Sequence, residues 1–103
     1  MNASISVLIN EQQRLERALP LFSKKIEELP KGSVQLKRRA HQNFSYLVFR
    51  DESRKLKWVY LGNESSQKAV EMQKLIAKRI ELEEKQKQMQ RDLSQISRML
   101  AHQ

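Results

Sequence analysis

The sequence has no cysteine and contains only two glycines and two prolines in 103 residues. Without cysteine there is no disulfide framework, thiol nucleophile or cysteine-based zinc site, which fits a reducing cytoplasm as the expected location. So few glycines and prolines argue against a disordered linker. No stretch approaches the roughly 20 apolar residues of a membrane span, and the first residues lack the basic and apolar segments of a signal peptide. We therefore expect no membrane partner.

The sequence is also poor in residues arranged for catalysis. Its two histidines, His41 and His102, fall in a predicted turn and near the chain end. There is no metal-binding histidine pair, acid triad or glycine-rich phosphate loop. Glu27 and Glu28 are adjacent, but neighbouring positions on a helix diverge by about 100°, so they do not form a two-carboxylate site. We expect a non-enzymatic protein with no catalytic residues, no metal and no cofactor.

Two apolar stripes at helical spacing lie towards the two ends of the chain. Within residues 4–29 and again within 64–101, apolar residues recur every three or four positions, which is the spacing of a coiled-coil seam. We predict one helix over each range. Pro20 kinks the first helix without ending it, because the stripe keeps its phase across this position. Asn63 is placed to cap the second helix.

These two helices are predicted to pair as an antiparallel coiled-coil hairpin. Aligning the stripes from the ends nearest the central segment places Gln12 opposite Met89 and Leu15 opposite Gln86. A seam formed by only two helices leaves apolar residues at its edges partly exposed to solvent. Pairing of the arm with a second copy, as a homodimer, is therefore a further expectation.

The central segment, residues 33–61, changes to the alternating pattern of strands. Polar turns at 40–43 and 51–54 separate three runs of β-forming residues. Short connections favour antiparallel neighbours, so we predict a three-stranded antiparallel sheet. The predicted fold class is α+β, with a long N-terminal helix, the sheet and a long C-terminal helix in a single domain over residues 1–103.

Positive charge is concentrated in the same segment. The net charge of the chain is +8, and residues 31–62 hold eight basic and two acidic side chains, a net of +6. Localised positive charge mixed with aromatic residues is typical of a surface that binds a polyanion. The candidate nucleic-acid-binding residues are six cations of the predicted sheet and its turns: Lys37, Arg38, Arg39, Arg54, Lys55 and Lys57.

Aromatic residues accompany these cations. A sheet covered by one helix layer leaves its other face open. Flat rings on an open face can stack on bases while arginine and lysine pair with phosphates, so Tyr46, Trp58 and Tyr60 are the candidates for stacking. A positive β-ribbon could instead enter a major groove. The pattern leaves open which face is exposed, and the same rings would also serve as core beneath a helix.

Three short motifs of the central segment carry a resemblance to known proteins. They are Leu-Pro-Lys-Gly-Ser at 29–33, a tyrosine-containing strand at 44–50 and Lys-Trp-Val-Tyr-Leu-Gly at 57–62. Together with the charged helix that follows, this pattern resembles an uncharacterised family of small prokaryotic and mobile-element proteins. The resemblance covers about residues 29–100 and implies no catalytic residues. More weakly, the three strands resemble the arm-type DNA-binding domains of tyrosine recombinases, which carry more glycine in their turns.

The sequence leaves two functions open. The first is a small protein that binds DNA or RNA through the basic, aromatic sheet and uses the coiled-coil arm for spacing or dimerisation. The alternative is a protein-interaction module, such as an inhibitor, antitoxin or adaptor, whose basic sheet docks on an acidic protein surface. Charge and aromatic residues serve both kinds of interface, so the sequence alone does not separate them.

Overall fold

A computed structural model describes residues 3–102 and, within them, two helices and three strands in the order α-β-β-β-α. This order confirms the predicted α+β class. The elements are α1 (Ala3–Glu27), β1 (Ser33–Arg39), β2 (Gln42–Arg50), β3 (Leu56–Asn63) and α2 (Gln67–Ala101). Neither helix, over the residues described, is long and apolar enough to cross a membrane.

The three strands form one antiparallel sheet in the order β1-β2-β3, as predicted. Ala40 and His41 alone connect β1 to β2, and Ala40 takes the left-handed conformation that such a tight turn requires (φ 54°). A β-bulge interrupts the pairing of β2 with β3, since Ser45 pairs with Gly62 whereas Tyr46 pairs with Tyr60. The sheet is thus a meander with two short connections.

One face of the sheet is covered by the first turns of α2. Leu47 of β2 and Leu61 of β3 are buried in one cluster with Ala69 and Ile76 of α2, and three half-buried side chains pack against it. These three are Val34, Phe49 and Met72. We call this side of the sheet the inner face, and it holds the core of this part of the chain.

The start of α2 differs from the prediction. The Ser66 hydroxyl accepts a hydrogen bond from the Ala69 amide (3.1 Å) and donates one to the Leu61 carbonyl (3.0 Å). Ser66 is therefore the N-cap, and the helix begins at Gln67, three residues later than predicted. Asn63 does not cap it, because it is still paired within the sheet as the last residue of β3.

The chain divides into two compact units, and α2 contributes to both. One unit comprises Met1–Glu28 and Glu81–Gln103, and the other comprises Leu29–Ile80. The second unit therefore holds the whole sheet and the part of α2 that packs on it. Each unit has buried apolar side chains of its own.

In the helical unit, α1 continues through Pro20, which confirms a single helix. Two side-chain hydrogen bonds join α1 to α2: the Gln12 amide donates to the Ser97 hydroxyl (3.2 Å), and the Gln86 amide donates to the Ser23 hydroxyl (2.7 Å). The prediction placed Gln12 opposite Met89 and Gln86 opposite Leu15. The observed partners, Ser97 and Ser23, each lie eight positions further along the chain, so the predicted register is wrong. Three stripe residues are buried here: Leu15, Leu82 and Ile96.

Candidate nucleic-acid interface

The side of the sheet opposite the inner face has a different composition. Because alternate residues of a strand point to opposite faces, the strand register identifies the residues of this side, which we call the outer face. It consists of Ser33, Gln35, Lys37 and Arg39 of β1; Gln42, Phe44, Tyr46, Val48 and Arg50 of β2; and Leu56, Trp58, Tyr60 and, beyond the bulge, Asn63 of β3. No acidic residue is among them.

Four aromatic rings lie next to one another on the outer face. The Tyr46 ring centroid lies 5.5 Å from that of Tyr60 and 6.0 Å from that of Trp58, and the centroids of Phe44 and Tyr60 are 6.2 Å apart. The ring planes are inclined by 46° to 75°, so these rings do not stack face to face. Tyr60 is 53% exposed and Trp58 is 41% exposed. All three predicted stacking residues therefore belong to one cluster.

Lys37 supplies a positive charge at this cluster. Its Nζ atom lies 4.0 Å from the centroid of the Trp58 ring and 5.4 Å from that of Tyr46. At these distances the ammonium is attracted by the electron-rich ring faces. The long side chain thus reaches from β1 across β2 and places its charge over the rings, while the residue stays exposed to solvent.

Arg39 lies two residues further along β1 and takes part in the same surface. It lines a hollow of about 300 Å³ together with Phe44, Tyr46 and Tyr60. Arg39 and Lys37 are therefore the two predicted cations that the fold brings together with the predicted aromatic residues. The hollow combines a guanidinium, which suits a phosphate or a base edge, with ring surfaces that suit a base.

The other four predicted cations lie elsewhere. Arg38 and Lys57 belong to the inner-face side of their strands, and the Lys57 ammonium is 3.8 Å from the Asp51 carboxylate. Arg54 and Lys55 lie in the turn between β2 and β3. The predicted set of six is thus divided between two faces and a turn, and does not form a single site.

The turn is held by one carboxylate. Asp51 accepts hydrogen bonds from the Ser53 hydroxyl (2.7 Å), the Ser53 amide (2.9 Å) and the Lys55 amide (2.9 Å). These bonds, that from the Ser53 hydroxyl first, lower the pKa of Asp51 below its usual value because they favour the ionised form. Arg54 takes a left-handed conformation here (φ 64°). These bonds fix the backbone of the turn, in which two acidic and two basic side chains balance.

Two residues of the outer face were missing from the predicted site. Phe44 contacts Tyr60 and lines the hollow, and Arg50 belongs to the same face and donates to the Arg54 carbonyl (3.0 Å). The sequence does indicate this grouping, because alternation along β2 places Phe44 and Arg50 on the same face as Tyr46. Only the register of β3, which carries Tyr60, makes Phe44 part of the cluster.

No family model, curated protein sequence or solved structure matches the chain. The resemblance to the small prokaryotic and mobile-element family therefore stays a prediction, as does that to the recombinase arm domains. Among the described residues there is no group of three or more histidine, aspartate or glutamate residues that could hold a metal ion.

Proposed function

We propose that this protein is a small non-enzymatic nucleic-acid-binding protein and that the outer face is its interface. The observation that carries the proposal is the cluster of Tyr46, Trp58 and Tyr60 with the Lys37 ammonium over it and Arg39 beside it. Rings of this kind stack on bases, and the two cations neutralise phosphates. An exposed aromatic patch of this kind is typical of a binding surface.

The charge pattern supports a polyanionic partner. The outer face carries three cations and no anion, and it belongs to the segment that holds most of the net positive charge. Attraction to phosphates would therefore bring a nucleic acid to this side of the sheet. The alternative, an acidic protein partner, would use the same charge but does not require rings with tilted, accessible faces.

A matched pair of arginines tests the proposal. Arg38 and Arg39 are neighbours on β1 and belong to opposite sides of the sheet, so reversing either charge changes the net charge equally. We expect Arg39→Glu to weaken binding at least about tenfold and to lower the salt slope of log K by about 0.7 for a single strand or 0.9 for a duplex. Arg38→Glu should have a much smaller effect.

The measurement is fluorescence anisotropy with labelled duplex DNA, single-stranded DNA and RNA at about 50 mM and 200 mM salt, with circular dichroism to confirm folding. Equal losses in both variants would mean diffuse attraction and would contradict an interface on the outer face. If the parent protein bound none of the three probes at the lower salt, the nucleic-acid function would be wrong. The interaction with an acidic protein surface would then take its place.

We further propose that α1 and the C-terminal part of α2 form an antiparallel coiled-coil hairpin that serves as a spacer or dimerisation arm. The support is the opposite chain order of the two hydrogen bonds, Gln12 with Ser97 and Ser23 with Gln86. Burial of Leu15 on the first stripe adds to it. A narrow apolar seam with polar flanks is the pattern that coiled coils use.

Because the chain has no cysteine, paired cysteines test this hairpin cleanly. Gln12→Cys combined with Ser97→Cys should form a disulfide in the oxidised protein, whereas Gln12→Cys combined with Met89→Cys should not. A crosslinked product of monomer mass supports the hairpin. A product of dimer mass means that the helices pair between two copies, and no crosslink in either double variant would contradict the pairing.

A further inference from the structure

We infer that the outer face takes single-stranded nucleic acid, with bases stacked on Tyr60 and Trp58 and the phosphate backbone following β1. This inference rests on the function proposed above and adds to it the class of nucleic acid and the direction of binding. It is carried by three observations: the exposure of the rings, the tilt between them and the placement of two of the three outer-face cations, Lys37 and Arg39, on one strand.

The rings are oriented to accept a partner. Tyr60, the most exposed of them, is inclined by 57° to Tyr46 and by 46° to Phe44, so its flat surface is not matched by a parallel ring of the chain. Trp58 is inclined by 75° to Tyr46. A base can therefore stack on Tyr60 without displacing another ring, whereas a base on Trp58 would share or replace the place of the Lys37 ammonium over that ring. Stacking of this kind tolerates any base sequence, because every base has a flat face.

A duplex presents few groups that this aromatic surface can bind. In a double helix the flat faces of the bases are covered by their neighbours, and only base edges and phosphates are accessible. Side chains that read edges are polar, whereas the centre of the outer face is formed by Tyr46, Trp58 and Tyr60. Three strands spaced by about 4.8 Å also form a broader surface than the two-stranded ribbon that enters a major groove. Unpaired bases match the rings better.

The cations indicate the direction of the strand. Lys37 and Arg39 both belong to β1, at one edge of the sheet, whereas the rings belong to β2 and β3. A backbone that follows β1 would place one phosphate near Arg39 and the next near the stem of Lys37, whose ammonium would turn from the Trp58 ring to meet it, and would direct its bases over the rings. The hollow beside Arg39 lies where the cations of β1 meet the rings of β2 and β3. Its volume, about 300 Å³, is at the lower limit of typical small-ligand sites.

The experiment uses the intact protein and the fluorescence of Trp58, the only tryptophan in the chain. Three probes of equal phosphate number are titrated at about 50 mM salt: oligodeoxythymidylate, an abasic strand with the same sugar-phosphate backbone, and a blunt duplex. We expect oligodeoxythymidylate to quench Trp58 and to bind at least about fivefold more tightly than the abasic strand, since a stacked base contributes about 1–3 kcal/mol. The duplex should bind more weakly than the oligodeoxythymidylate.

Variants of Tyr60 separate stacking from charge. Tyr60→Ala should weaken the binding of oligodeoxythymidylate by roughly 5- to 150-fold, whereas Tyr60→Phe, which keeps the ring, should bind like the parent. Neither variant should change the binding of the abasic strand. Val59→Ala, at the neighbouring and similarly exposed inner-face position, is the control and should leave all affinities unchanged.

The outcomes distinguish the two proposals. Equal binding of the abasic strand and oligodeoxythymidylate, or tighter binding of the duplex, would overturn the single-strand inference and leave nucleic-acid binding intact. Equal losses from Tyr60→Phe and Tyr60→Ala would overturn the stacking role. Failure of all three probes to bind, together with failure of the RNA probe named above, would overturn the proposed function itself.

Discussion

The inner and outer faces of the sheet are built from the same three strands but differ in burial and in the residues they carry. On β3, Leu61 belongs to the core and is 3% exposed, whereas its neighbour Tyr60 is 53% exposed. Apolar residues of α2 cover the inner face around Leu47 and Leu61, and two cations lie on β1 at the edge of the outer face. The core therefore lies on one side of the sheet, and the binding proposed above belongs to the other side. Mutations should therefore affect stability and binding separately.

The largest expected effect comes from breaking the inner face. Leu61→Ala should destabilise the fold by about 2–5 kcal/mol, since it removes a buried side chain from the cluster with Ala69 and Ile76. Tyr60→Ala, one residue away, should cost clearly less stability because half of that side chain is already in water. Urea denaturation of both variants measures the difference. A larger loss for Tyr60→Ala would contradict the division between the faces.

The next effect concerns the entry to β1, where the backbone passes close to β2. Gly32 has a φ of 102°, and a Cβ atom there would collide with the Val48 carbonyl oxygen and lie 2.9 Å from the Phe49 Cβ. Gly32→Ala should therefore destabilise the fold by at least about 2 kcal/mol, from backbone strain and overpacking together. Ser33→Ala is the control, because its φ is not in the glycine region. Equal thermal midpoints for the two variants would disprove this role of Gly32.

A smaller, pH-dependent effect is expected in the turn that joins β2 to β3. The pKa of Asp51 is lowered in the folded chain, so its carboxylate stabilises the fold above its unfolded pKa. This contribution is lost as the pH falls through the lower, folded value. Asp51→Ala should therefore be less stable than the parent at pH 7. The difference in unfolding free energy between the two proteins should decrease below about pH 4.

Glu52→Ala provides the comparison for this turn, because it removes the same charge without removing the hydrogen bonds that Asp51 accepts. Denaturant titrations at pH 7, 5, 4 and 3 measure both variants. A gap for Asp51→Ala that stays constant over this range would mean that the ionised carboxylate contributes no stability through those bonds.

The smallest effect on stability is expected at Ser45, the one buried polar residue among those that the structure describes. Ser45 lies on the inner-face side of β2 and is fully buried, and its Oγ atom has no hydrogen-bond partner. Replacing such a hydroxyl by hydrogen removes a group that gains nothing from the fold. Ser45→Ala should therefore change stability by less than about 1 kcal/mol, or raise it. A loss of more than about 1.5 kcal/mol by chemical denaturation would indicate a hydrogen bond formed in solution.

Several features were predictable because they depend on neighbouring residues alone. The strand segments, the continuation of α1 through Pro20 and the grouping of Tyr46 with Phe44 all follow from local periodicity and preference. The start of α2 was predicted wrongly, although it too is local. Both Asn63 and Ser66 are residue types that cap helices, and the pairing of Asn63 within the sheet leaves that role to Ser66.

The helix alignment could not be predicted for a different reason. An apolar stripe that repeats about every seven residues keeps its phase when it slides by about one repeat, so many alignments bury similar residues. The observed hydrogen bonds of Gln12 and Gln86 lie eight positions from the predicted alignment, close to one repeat. Periodicity therefore determines which residues form the stripe, and the contact with the second helix selects their partners.

By itself, the sequence determined the order of the elements, the concentration of charge in the central segment and the side-chain parity within each strand. Only the tertiary structure decided that Arg39 joins the rings while Arg38 does not, and that Tyr46 lies beside both Trp58 and Tyr60. The physical reason is that parity is a property of one strand. The register between strands and the face that a helix covers arise from contacts between residues far apart in the chain.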